Sequence, residues 1–385
     1  MIQAGAAARL QAAGGVRTLR FEASAPLQLS SGESLAPLTM AFETYGALNA
    51  DRTNAVLVCH ALGGDQFAAS ANPVTGRLAW WPRIVGPGRP LDTNRFFVIC
   101  ANTLGGVTGT TGPSEIAADG QPYGLRLPAI TMADMVRAQA MLIEALDIEN
   151  LFLVIGPGMG GMQALNWASA YPRRVFACAT VAATARQSAH NIALAELGRQ
   201  AIMADPDWRN GAYLAHGVTP ARGAAVACEA GRMSGLPAAN VRACFQGARA
   251  LDHFAFALED EAAQHYGASP ADRFDANSYL YLSRAMDGFD LAGDFGGRLS
   301  NAFEGGATRH AVFAFTSDWR YPVEESREIA RALIAAGAEA AFVEIASEGG
   351  HYAYLGDEPE FEAALTGFVD AAASARGLPL HAGVI

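Results

Sequence analysis

Apolar residues in this chain fall into short runs separated by amphipathic stretches. Ala55–Cys59, Phe96–Cys100, Leu151–Ile155, Val175–Val181, His310–Phe315 and Ala341–Ile345 are too short for helices and almost wholly apolar. Strands buried on both faces read this way. Arg17–Phe21 and Thr39–Tyr45 predict two earlier strands. Thr131–Leu146 has helical periodicity with Thr131 as its N-cap, and Val323–Ala336 and Pro359–Ala373 predict helices after the last two strands. Strands alternating with helices define the α/β class, with a mainly parallel central sheet covered on both faces. The alternation stops between Thr184 and about Gly306, where His190–Ala204 and Asn277–Met286 are helical and Asp205-Pro206 and Thr219-Pro220 mark turns. The pattern divides the chain into a core, 1–183 and 307–385, and a helical insertion, 184–306. An insertion at that point forms a lid over the carboxyl ends of the strands, where α/β sheets place their sites. Residues 1–15 are small and polar without periodicity and are expected to be disordered.

Composition narrows the chemistry. The chain has 385 residues and a formal charge of −11, and all 27 of its basic residues are arginines. The absence of lysine excludes Schiff-base, P-loop and Ser–Lys mechanisms. An acidic chain without basic runs is a poor nucleic-acid binder. Cys59, Cys100, Cys178, Cys228 and Cys244 are widely spaced with no C-x-x-C, which predicts buried thiols in a reducing compartment rather than disulfides or a metal site. Met1–Gly15 lacks the apolar core of a signal peptide, and no run of about 18 apolar residues suggests a membrane span. The expectation is a cytoplasmic protein with no membrane partner and no bound cofactor.

The most informative segment is Gly156–Gly161, a turn between the strand Leu151–Ile155 and the helical run Met162–Ala168. Strand, tight turn and helix form the setting of a G-x-S-x-G nucleophile elbow, whose middle residue attacks an acyl carbon. Here the middle residue is Gly158, which has no side chain. The other members of such a site follow in the expected chain order. Asp318 closes one core strand as the orienting acid, and His351 follows the last strand as the base. An oxyanion hole requires backbone N–H groups beside the attacked carbon. Met159, after the elbow centre, and Leu62, in the loop His60–Gly64, are the candidates, and His60 is expected to be a structural hydrogen-bonding residue. Gly156-x-Gly158-x-x-Gly161 also matches the dinucleotide fingerprint formally. That motif wants an acid about 20 residues on, and the next acid, Glu196, lies in the insertion. A nucleotide site is not expected.

Beyond the elbow, the stretches Cys59–Leu62, Trp80-Trp81, Ile84–Gly88, Leu91–Asn94, Asn102–Gly106, Gly109–Ser114, Asp134–Gln139, Gly160–Ala164, Arg199–Ile202, Ser278–Leu282, Ser317–Trp319 and Gly350-His351 resemble the homoserine O-acetyltransferase family of the α/β-hydrolase superfamily. They run from residue 59 to 351, insertion included. The resemblance implies an α/β-hydrolase fold, a homodimer, acetyl-CoA as co-substrate and a small hydroxyl acceptor. It also implies a ping-pong route in which the elbow serine is acylated, coenzyme A leaves, and the alcohol takes the acyl group with His351 as base. Arg199 becomes a candidate for the substrate carboxylate, through two hydrogen bonds from its guanidinium, or else an ion-paired arginine of the lid. Two positions depart from the family pattern. Gly158 replaces the serine, and Tyr352 stands where homoserine-using members carry an aspartate that pairs with the substrate amine. Three functions are compatible with the sequence: an acyltransferase that has lost its nucleophile, non-covalent chemistry on the His351–Asp318 dyad and oxyanion hole, or a non-catalytic binding homologue.

Overall fold

A computed structural model describes residues 8–117, 119–237, 239–240 and 275–380. Nine strands form its main sheet: β1 (Ala8–Ala13), β2 (Val16–Phe21), β3 (Leu38–Tyr45), β4 (Ala55–Cys59), β5 (Phe97–Ala101), β6 (Leu151–Pro157), β7 (Val175–Val181), β8 (Arg309–Phe315) and β9 (Ala340–Ile345). Their order is β1-β2-β3-β5-β4-β6-β7-β8-β9. From β5 to β9 every neighbouring pair is parallel, and β1, β2 and β3 add an antiparallel edge. This is the mainly parallel sheet expected from the alternation, and it agrees with the α/β-hydrolase fold that the resemblance implies.

The period of two along the central strands explains how both faces are covered. In β4, Leu57 and Cys59 enter one core, while Val56 and Val58 enter the other. The first face carries α1 (Met132–Ala145), α2 (Met159–Ala170) and α6 (Val323–Ala335), and the second carries α7 (Pro359–Arg376) and Trp81. Thr131 caps α1 as expected, in a reciprocal capping box with Asp134. Between β7 and β8 the described residues form helices: α3 (Ala189–Ala204), α4 (Ala221–Gly235), α5 (Ala276–Asp287) and shorter turns. The sequence places no strand in 1–15, yet residues 8–13 are β1, paired antiparallel with β2; residues 1–7 lie outside the described residues. Gly14 and Gly15, at φ 57° and 80°, make the two-residue turn that joins the strands. Five of the six β1 residues are exposed, and its alternation, Ala8, Leu10 and Ala12 against Arg9 and Gln11, carries only one large apolar side chain.

Cys59, Cys100 and Cys178 are buried free thiols, Cys228 is half-buried on α4, and Cys244 lies outside the described residues. Burial pushes the Cys178 thiol up to about 12 and those of Cys59 and Cys100 up as well, so all three are inert. No described helix is long and apolar enough to cross a membrane.

One buried core histidine makes stability pH-dependent. His310, on β8 against the Phe303 ring, has its pKa pushed down by burial from 6.5 to about 4. The unfolded chain takes up this proton first as pH falls. Stability is therefore whole above pH 6.5 and is lost between there and pH 4, by about 3 kcal/mol for this one group. Urea unfolding at pH 7 and pH 4 should show the loss, and His310→Asn should reduce it by one titrating proton.

Candidate active site

Two close backbone contacts build the elbow. Strand β6 runs to Pro157 and α2 starts at Met159, which leaves Gly158 alone as the turn. Helix α2 thus begins three residues earlier than its sequence suggests. Gly160 reads as turn chemistry, but a Cβ there would lie 2.0 Å from the Cys59 carbonyl oxygen. Glycine lets the first turn of α2 press against the end of β4. Gly158 sits at φ 54°, ψ −119°, and its N–H donates to Val181 O at 3.0 Å. That conformation is strained for any residue with a side chain. No side chain caps α2, so its first N–H groups face the space above Gly158.

Asp318 follows β8 and is fully buried. Its Oδ1 accepts from the backbone N–H groups of Arg320 (2.9 Å) and Tyr321 (3.0 Å), and its Oδ2 lies 2.9 Å from His351 Nδ1. His351 lies in the 3-10 turn Gly350–Leu355 after β9, where the Gly350 N–H donates to Ser317 Oγ at 2.9 Å. With Nδ1 donating to Asp318, Nε2 faces the elbow. A Cβ built on Gly158 would lie 3.3 Å from His351 Nε2 and 4.0 Å from Ala61 Cβ. Tyr321 and Tyr354 pack edge-on to the imidazole, with ring centroids 5.2 and 5.6 Å away. The loop after β4 turns tightly, Gly64 N–H donating to Ala61 O at 2.8 Å, and carries Leu62 past the same point. Gly158, Met159, Leu62, His351 and Asp318 are thus brought together. His60 is structural: Nδ1 lies 2.8 Å from Ala61 O, Nε2 accepts from Thr103 N–H at 3.0 Å, and burial pushes its pKa down.

Arg199 belongs to the second of its two expected roles. It is buried in the insertion with NH2 at 2.6 Å from Asp287 Oδ2 and 2.7 Å from Glu196 Oε2, and NH1 donates to Ser283 Oγ at 3.0 Å. These contacts place Arg199 in an ion-paired cluster of the lid. Tyr352 stands beside the imidazole at 5.8 Å and lies on α4, where a Cβ on Gly235 would fall 2.3 Å from its ring. A cleft between core and insertion is lined by Leu62, Asn191, Tyr279, Asp287 and Arg320. The sequence reading stopped at Trp319 and missed Arg320; the available signal was its place two residues beyond Asp318. Trp319 itself ties this loop to the insertion, donating from Nε1 to Leu236 O at 2.6 Å. Among the described residues no cluster of three potential metal ligands occurs.

An elbow, an acid–histidine pair and two flanking backbone donors are the parts of an acyl-transfer site. A model for the alpha/beta hydrolase fold matches residues 54–222. The homoserine O-acetyltransferase of Mesorhizobium japonicum is 54% identical over 368 residues, covering 94% of both chains. The chain belongs to the homoserine O-acetyltransferase family. The Caulobacter vibrioides homoserine O-acetyltransferase is 52% identical over 94% of this chain and 96% of its own. The crystal structure of the family member from Bacillus anthracis superposes with a TM-score of 0.79 at 27% identity, covering 92% of this chain and 98% of its own.

Proposed function

We propose that this chain carries the acyl-CoA-dependent O-acyltransferase site of its family with the nucleophile position occupied by Gly158, so that it cannot form an acyl-enzyme. The observation that carries this reading is the 3.3 Å between a Cβ on Gly158 and His351 Nε2, which puts a serine hydroxyl within reach of the base. With serine there, Nε2 takes the hydroxyl proton as Oγ attacks the thioester carbon. The N–H groups of Leu62 and Met159 hold the oxyanion, and the coenzyme A thiolate leaves, taking the proton back from His351. The acceptor hydroxyl then gives its proton to His351 and attacks the acyl carbon, and the serine oxygen leaves, taking that proton from His351. In the glycine form the first step has no attacking atom.

Tyr352 supports an acceptor other than a free-amine alcohol, because a phenol carries no negative charge at neutral pH to pair with an ammonium. The proposal extends to acetyl-CoA as donor, a homodimer and a cytoplasmic location, which the resemblance to homoserine O-acetyltransferases supports. A second reading, hydrolase or lyase chemistry without a covalent intermediate, is favoured by the intact Asp318–His351 pair at 2.9 Å.

Intact-mass analysis after incubation with acetyl-, propionyl- or succinyl-CoA tests both readings. One acyl group should appear on Gly158→Ser and none on the glycine form. Absence of an adduct on folded Gly158→Ser would overturn the proposal. Turnover by the glycine form that His351→Ala abolishes would establish the second reading instead.

A further inference from the structure

Arg320 is half-buried and lines the cleft together with Leu62 of the oxyanion loop. Among the described residues no carboxylate lies within 4.0 Å of its guanidinium. The two nearby acids are committed elsewhere. Asp318 holds His351 and two backbone N–H groups, and Asp287, which lines the same cleft, is in contact with Arg199. The groups that act on Arg320 are the phenols Tyr279, Tyr321 and Tyr352 and, from beyond contact distance, the Asp318 carboxylate already held by His351. Burial holds Tyr279 and Tyr321 above the ordinary tyrosine range, so neither becomes a counter-ion near neutral pH. A guanidinium removed from water is costly to leave without an anion, and its planar donor fork fits a carboxylate.

We infer that Arg320 receives the carboxylate of the acceptor, which makes the acceptor a short hydroxy acid without a free amine. The inference rests on the acyltransferase reading for the word acceptor. It separates the two arginines: Arg199 holds the lid together, and Arg320 selects the substrate. Coenzyme A does not supply this anion, because its phosphates are separated from the thioester by the whole pantetheine arm, whereas Arg320 follows Asp318 by two residues. Tyr352, beside the same imidazole, offers an uncharged wall where an ammonium would need a carboxylate.

The glycine form lets binding be read without turnover. Ligand-observed NMR titration of the full chain with 4-hydroxybutanoate, butane-1,4-diol, homoserine and coenzyme A is the test. The hydroxy acid should bind about tenfold tighter than the diol, the size of one charge-assisted contact, and tighter than homoserine. Arg320→Gln should erase the preference over the diol, Arg320→Lys should keep part of it, and Tyr352→Asp should move the preference towards homoserine. Unchanged melting temperatures show that the variants fold. Equal binding of acid and diol, an undiminished preference in Arg320→Gln, or weakened coenzyme A binding in place of weakened hydroxy-acid binding would overturn the inference. The acyltransferase reading fails separately, on the mass of Gly158→Ser, in which Arg320 takes no part.

Discussion

Gly158→Ser is expected to raise coenzyme A release from acyl-CoA by at least about three orders of magnitude over the glycine form, the scale of losing a triad nucleophile. The Asp318–His351 pair already stands beside the position, so the substitution supplies the missing attacking atom. At 3.3 Å the new Cβ is tight against His351 Nε2, and the imidazole must give by a few tenths of an ångström. Asp318→Asn in the serine background should then cost about four orders of magnitude, because Asp318 fixes the tautomer that leaves Nε2 as acceptor. The same variant should be less stable. Glycine accepts φ 54°, ψ −119° freely, whereas serine held there costs about 1–3 kcal/mol. Activity that rises while the melting temperature falls is the signature of a side chain restored to an elbow. A well-folded serine variant with no gain in turnover would show that the position is not a nucleophile's.

Arg199→Ala should destabilise the protein by about 3 kcal/mol or more, the usual loss when one member of a buried ion pair is removed. Arg199 and Asp287 have side chains only 3% and 7% exposed, and burial already holds the Asp287 carboxyl above the ordinary range even with the guanidinium at 2.6 Å. Without Arg199 that carboxyl must take up a proton or stay charged with only Arg284, at 3.9 Å, for a partner. Arg199→Met combined with Asp287→Asn should recover most of the loss, since neither charge is then left alone. Urea unfolding of the two single variants and the double variant measures the coupling. Additive effects would mean that the pair does not interact energetically.

The central strands were legible because strands buried on both faces leave continuous apolar runs, and Ala55–Cys59 and Val175–Val181 are found at their expected bounds. The elbow was legible for a related reason. Its closely spaced glycines mark a tight strand–helix turn locally, although the contact that requires Gly160, with Cys59, is long-range. What was hidden depended on long-range pairing. Arg199 meets Asp287 across the insertion, and no local pattern announces such a partner. Tyr352 and Gly235 lie against one another although they are far apart in sequence. Arg320 was hidden differently: its interest lies in having no carboxylate within 4.0 Å among the described residues, which only a fold can show.

Strand β1 is at one edge of the described sheet; it is short and exposed, with Arg9 and Gln11 between small alanines and a single large apolar residue, Leu10, which is too weak a pattern to announce a strand. The same pattern guards against aggregation. An edge strand with alternating large apolar residues would be a template for a strand of another molecule, while charge and a short length discourage that pairing. Concealment from pattern reading and resistance to edge-to-edge association are here one property of six residues.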